Sequence, residues 1–197
     1  MEIITSGEFN PLSTIPYYML IGGEMLVYEE LINVNSFVDQ NPSGLGDANK
    51  ITVHYGGVVG NGSSPVQLVD VAGVGTGGGP GSKLICNVAD TYLFEYTAAV
   101  GRTGGAGVSE VWFRLLVNGT QAAASTDFKL DDSEVRIANN ASFVVPLTVG
   151  LEIEVEIMRN NTGNNSGGLL AAVNAEPSLW SPSASAGLRV GRYVLPL

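Results

Sequence analysis

A strict alternation of apolar and charged side chains late in the chain does most to constrain its fold. The segment 151–157 runs in the order Leu151, Glu152, Ile153, Glu154, Val155, Glu156, Ile157. Successive side chains of a β-strand point to opposite faces, so this period of two predicts a strand with one apolar face on a core and one acidic face. We also expect the row of like charges to oppose pairing at a sheet edge.

Short segments with the same period recur along most of the chain, and Asn118 with Gly119 forms a strong hairpin signal between two of them. Helical periodicity is almost absent. This pattern predicts an all-β fold, a jelly-roll sandwich of about ten antiparallel strands. The predicted strands include residues 51–55, 65–71, 83–88, 91–97, 109–117, 142–147, 151–157, 168–173 and 188–194.

The composition excludes a disordered chain and argues against two classes of partner. Hydrophobic residues make up 45% of the 197 residues, enough to offset the entropy of folding by burial. The net charge of −10 repels phosphate, so we expect no nucleic-acid partner and no anionic membrane partner. The apolar segment 15–27 is too short and too interrupted to predict a membrane span. The single cysteine, Cys86, cannot form an internal disulfide and is expected in the core.

The charge is distributed unevenly, which suggests two parts of the chain. Residues 1–49 contain seven acids and no Lys or Arg, and a turn-rich run ends at Asp47. We therefore predict an acidic, apolar-rich N-terminal arm over residues 1–48 and a jelly-roll domain over residues 49–197. Two alternatives remain open for the arm: an edge strand and loop packed on its own domain, or an extension that docks on a basic partner surface. The candidate contact residues of the arm are Glu8, Phe9, Tyr17, Tyr18, Glu24, Tyr28, Glu29 and Glu30.

The residue pattern argues against an enzyme and predicts neither a metal nor a cofactor. His54 is the only histidine, and no Gly-x-Ser-x-Gly elbow is present. The adjacent pairs Asp131 with Asp132 and Glu29 with Glu30 point to opposite faces of a strand, so neither pair forms the facing carboxylates of a glycosidase. The acids Asp127, Asp131, Asp132 and Glu134 are compatible with a calcium site, but a solvated hairpin loop is the favoured interpretation.

The segment 89–157 resembles the tumour-necrosis-factor-like and complement globular-head jelly rolls. The resemblance rests on the aromatic strand 90–96, on the strand 112–117 that ends in Asn118 and Gly119, and on the apolar strand 143–147 that leads through Gly150 into the alternating strand. It implies a compact homotrimer. In such a trimer Tyr92, Phe94, Tyr96 and Trp112 are candidates for the threefold axis or for the core of the protomer.

A body rich in Gly, Asn and Ser, without a disulfide and without an export signal at Met1, also looks like a bacteriophage structural protein made in a reducing host cytoplasm. Trimeric jelly rolls recur as capsid decoration proteins and as fibre heads. The leading hypothesis is a decoration (cement) protein of the virion, bound to the major capsid protein on the outside of a phage capsid. The alternative is a fibre or tail receptor-binding head that recognises host glycans through residues 56–65, 73–82, 101–107 and 160–168.

Overall fold

The computed structural model describes residues 18–21, 24–57, 59–69, 81–102, 107–122, 124–131, 136–172 and 182–195. These residues form strands and one turn of 3-10 helix at Asp47–Asn49. The strands are β1 (Tyr18–Ile21), β2 (Glu24–Ser36), β3 (Ile51–Thr52), β4 (Val66–Val69), β5 (Lys83–Cys86), β6 (Asp90–Arg102), β7 (Ser109–Val117), β8 (Thr120–Gln121), β9 (Thr126–Leu130), β10 (Arg136–Leu147), β11 (Glu152–Arg159), β12 (Gly167–Leu169) and β13 (Ala186–Val194).

The strands form two antiparallel sheets that pack as a sandwich. Sheet A has the order β1-β2-β13-β6-β10, with β12 paired to the end of β6. Sheet B has the order β4-β5-β11-β7-β8, with β3 also paired to β11 and β9 to β7. In chain order, β2 lies in sheet A, β3 to β5 in sheet B, β6 in sheet A, β7 to β9 in sheet B, β10 in sheet A and β11 in sheet B. The last strand, β13, lies beside β2 in sheet A. This order is that of a jelly roll, so the predicted fold class is confirmed.

The core consists of the inward faces of both sheets, as the period-two pattern requires. Along β11 buried residues alternate with half-buried ones, which confirms the predicted core face of this strand. Cys86 is also buried in the core, as predicted. The hairpin between β7 and β8 turns at Asn118 and Gly119, both with positive φ, which is the geometry of a two-residue type I′ turn.

The predicted role of the acidic row at a sheet edge is wrong. Strand β11 lies in the middle of sheet B, between β5 on one side and β7 on the other. The glutamates therefore have a neighbouring strand on each side, and two of them form ion pairs with cations on those strands. Glu152 accepts from Lys83 at 2.7 Å and Glu156 from Arg114 at 2.6 Å.

The described part of the predicted arm belongs to sheet A. Strand β2 pairs with β13 from Val27 to Ser36, and Ile32 is fully buried in the core. For the segment 24–36, the alternative of a strand packed on its own domain therefore applies. Residues 1–17 lie outside the described residues.

A buried arginine fixes the loops at one end of the sandwich. Arg159, at the end of β11, is only 4% exposed and hydrogen-bonds neutral oxygens. Its guanidinium donates to the carbonyl oxygens of Pro42 and Gly167 and, at 2.7 Å, to the Asn165 side chain. Burial lowers the pKa of Arg159. Pro42 lies in the loop after β2, whereas Asn165 and Gly167 both lie where the loop after β11 runs into β12. One side chain therefore ties the end of β11 to two other segments.

We expect Arg159→Ala to lower the free energy of unfolding by about 3 kcal/mol, since hydrogen bonds from a buried cation are lost and buried carbonyls are left unpaired. Urea unfolding followed by circular dichroism measures the change. Arg102→Ala is the control, because the Arg102 side chain lies nearer the surface and donates to the Asp131 carbonyl oxygen at 3.2 Å. An Arg159→Ala effect no larger than that of Arg102→Ala contradicts the anchoring role.

Candidate interaction surfaces

The outward face of sheet A has a charged part on β2 and β13. Arg189 of β13 donates to Glu30 of β2 at 2.5 Å, and its guanidinium lies 5.1 Å from the centre of the Tyr28 ring. Glu95 of β6 lies 3.6 Å from the same guanidinium. Burial acts to lower the pKa of Arg189, but the hydrogen bond and charge of Glu30 outweigh it and raise that pKa. These contacts hold β2 and β13 together from the solvent side.

A second arginine pairs with acids on the other face of sheet A, because Arg192 lies opposite the buried Tyr92 of β6. We call the ion pairs of Arg189 and Arg192 together the clasp. Arg192 bonds Glu29 at 2.7 Å and Asp90 at 3.1 Å, which links β13 to strands on both sides. The register of β13 against β2 shifts between Val190 and Gly191. A Cβ at Gly191 would lie 2.3 Å from atoms of the Tyr28 ring, so only glycine lets the ring lie against the backbone there.

The structure therefore separates the predicted contact residues of the arm. Tyr28, Glu29 and Glu30 act within the clasp. Tyr18 and Glu24 lie on the β1–β2 hairpin, paired to Val27 and Ile21. The remaining candidates, Glu8, Phe9 and Tyr17, lie outside the described residues.

The other half of this face lies along the edge strand β10, whose outward residues from Ala138 to Pro146 are uncharged. The half-buried Glu95 of β6 lies directly opposite Ser142. The outward residues of β10 alternate with inward ones and are all exposed; Val144 is 68% exposed. We call this surface the neutral strip. It consists of Ala138, Asn140, Ser142, Val144 and Pro146 of β10 with their cross-strand neighbours Thr97, Leu93 and Thr91 of β6. The β10 part is about 26 Å long at about 3.3 Å per residue. Charged residues are depleted at the centres of protein interfaces, so a strip of this composition is a candidate contact surface.

An exposed apolar tip follows β2 at one end of the sandwich. Phe37 and Val38 are each 52% exposed, and backbone contacts hold the tip in place. The Ser185 hydroxyl donates to the Val38 carbonyl at 2.6 Å, and the Asp39 carboxylate accepts from the Ala171 backbone at 2.8 Å. The tip is therefore a preorganised apolar contact beside an acid. Sequence reasoning missed it because residues 36–39 show no sign of which side chains a turn exposes.

The aromatic candidates for a trimer axis divide between two places. Tyr92, Phe94 and Tyr96 lie on the inward face of β6, at most 5% exposed, in the core of the protomer. The Tyr92 hydroxyl donates to the Val88 carbonyl at 2.6 Å, and burial raises the pKa of Tyr92 to about 12. Trp112 lies on the outward face of sheet B, half-buried, in a cleft of about 50 Å³ beside Arg114.

The groups considered for catalysis or metal binding are dispersed. His54 is buried, and burial lowers its pKa. Asp127 and Asp131 are exposed on and just after β9, whereas Asp132 and Glu134 lie outside the described residues. Among the residues that the structure describes, no three His, Cys, Asp or Glu side chains come together as a metal site.

Comparisons with protein-family models and with curated protein sequences give no match. In the described ranges no helix has the length and apolar character needed to cross a membrane.

The outward face of β11 concentrates negative charge around Glu154. Burial raises the pKa of Glu154; Lys83 acts against this, and the neighbouring charges of Glu156 and Glu152 add to it. A folded-state pKa above the unfolded value means that folding favours the protonated acid. The stability from this group is present below the unfolded pKa and is lost as the pH rises through the folded pKa.

We expect Glu154→Gln to raise the urea midpoint at pH 7, which corresponds to an increase of less than about 1 kcal/mol in the free energy of unfolding. At pH 3 we expect no change in the midpoint. Glu156→Gln is the matched control on the same face, since it breaks the 2.6 Å ion pair with Arg114 and should lower the midpoint at pH 7. A lower midpoint for Glu154→Gln at pH 7 contradicts this electrostatic account.

Proposed function

We propose that the protein is a homotrimeric decoration (cement) protein of a phage virion, made in the host cytoplasm and bound to the major capsid protein on the outside of the capsid. The observation that carries the proposal is the neutral strip on an otherwise acidic jelly roll. It gives an acidic protein an uncharged surface for self-association and leaves the apolar tip and the acidic surfaces for a capsid.

Electrostatics favours the neutral strip as the contact between copies. Each chain has a net charge of −10, so two copies repel each other wherever acidic surfaces meet. Association is least opposed where the contact itself contains no charge. The one acid of β6 next to the strip, Glu95, lies toward Arg189, which offsets its charge.

The same charge favours a basic partner for the remaining surface. The two arginines of β13 are already paired within the protein, Arg189 with Glu30 and Arg192 with Glu29 and Asp90. The surplus acids of the chain therefore remain available to attract a basic capsid patch and to orient docking. Phe37 and Val38 at the tip supply apolar area, and exposed aromatic side chains are frequent anchors of protein interfaces.

Light scattering on the full chain tests the assembly. We expect a mass three times that of the 20.5 kDa chain, and a monomer for Val144→Arg, which places a charge in the neutral strip. Val149→Arg is the control, since Val149 is similarly exposed but lies in the turn after β10. A monomeric wild-type protein contradicts the trimer, and a trimeric Val144→Arg variant contradicts the neutral strip as its contact.

Binding to purified capsids of the phage that carries the gene tests the partner. We expect sedimentation with the capsids, higher heat resistance of the decorated capsids, and at least tenfold weaker binding for Phe37→Ser, equivalent to about 1.4 kcal/mol. Val149→Ser, at the opposite end of the sandwich, is the matched control.

Removal of residues 1–17 tests the contribution of the acidic N-terminal segment and leaves every described strand intact. Weaker capsid binding by the truncated chain assigns a contact to that segment. Failure of the full chain to bind capsids, together with binding to host cells or their glycans, would replace the decoration role with that of a receptor-binding head.

A further inference from the structure

Three residues that line one cavity between the two sheets have buried hydroxyl groups without a partner in the described part of the chain. The side-chain oxygens of Tyr55, Ser82 and Tyr96 are inaccessible to solvent and make no hydrogen bond within the described part of the chain. All three residues are at most 5% exposed. Since a buried hydroxyl without a partner bears the full cost of its lost hydration, three such groups in one place call for a shared explanation.

The hydroxyls line one cavity, and they reach it from both sheets. The Tyr55 backbone donates to the Gly81 carbonyl at 2.9 Å, which brings Tyr55 next to Ser82 on the side of sheet B. Tyr96 enters from β6 of sheet A. Otherwise the cavity is lined by apolar side chains, including Leu84, Phe94, Leu115 and Ile153, and by Glu154 of β11. Burial raises the pKa of Tyr55, and the nearby Tyr96 adds to that rise.

The size and lining of the cavity select its ligand. Its volume is about 10 Å³, close to the minimum of about 10–15 Å³ that a single water needs. Cavities that stay empty are lined by apolar groups alone, whereas a buried water is held by about three hydrogen bonds. A larger solute does not fit, and an apolar one would leave the hydroxyls unpaired.

We propose that this cavity is a binding site for one water molecule, held by the hydroxyl groups of Tyr55, Tyr96 and Ser82. The water satisfies all three groups and joins sheet A to sheet B at a point where the side chains do not reach one another. The site belongs to the interior of the protomer and is independent of the proposed capsid role.

The direction in which a Tyr→Phe substitution shifts the urea midpoint tests the proposal. If a water bridges the hydroxyls, Tyr55→Phe and Tyr96→Phe each remove one of its hydrogen bonds, and the urea midpoint falls in both variants. If the hydroxyls are unpaired, the same changes remove a buried group without a partner, and the midpoint rises. A midpoint that is unchanged or higher in either variant overturns the proposal.

Tyr92→Phe is the matched control on the strand that contains Tyr96. Its hydroxyl has a protein partner, the Val88 carbonyl at 2.6 Å, so its loss must lower the midpoint whether or not the cavity holds water. A crystal structure of the wild-type protein is the second measurement. We expect one ordered water within hydrogen-bond distance of all three hydroxyls, and a cavity without that water overturns the proposal.

Discussion

The insertion of β13 between β2 and β6 is the constraint on which the rest of the sandwich depends. Leu188 pairs with Val34 on one side and with Tyr96 on the other, so the last strand joins the first long strand to the centre of sheet A. Without β13, β2 has no described partner beyond the short hairpin with β1. Because this pairing joins segments far apart in the chain, its loop-closure entropy is large, and the fold belongs to the slow-folding class of high contact order.

The charged groups of sheet A reinforce that closure. The clasp of Arg189 and Arg192 with acids on β2 and β6 lies over the same three strands that β13 brings together. Exposed ion pairs contribute little singly, but each of these arginines contacts acids on both neighbouring strands. Arg189 does so on the outward face of sheet A and Arg192 on the opposite face. Glu29 and Glu30, which the sequence predicted as contact residues for a partner, thus form ion pairs that stabilise sheet A.

The interior is not purely apolar, and its polar groups show how the two sheets and their loops are fixed relative to each other. Arg159 anchors two loop segments to the end of β11. Gln40 fixes another segment by hydrogen-bonding both backbone groups of His54. The Tyr55, Tyr96 and Ser82 hydroxyls lie between the sheets. Such groups have few acceptable partners, so they specify one arrangement of the loops and sheets more strictly than apolar packing does. These groups hold the framework that presents the neutral strip at one edge and the apolar tip at one end, the two surfaces on which the proposed assembly rests.

Local alternation determined the strands of this protein, because the two-residue period of a strand is a property of consecutive residues. It was enough to predict the core face of β11, the single aromatic face of β6 and the turn at Asn118 and Gly119, and so the all-β class. It did not determine which strands become neighbours. The central position of β11, the pairing of Glu29 and Glu30 with β13, the burial of Arg159 and the exposure of Phe37 depend on contacts between segments distant in the chain. Only the tertiary structure decides these features, because the same strands and charges are compatible with several sheet orders until long-range burial selects one.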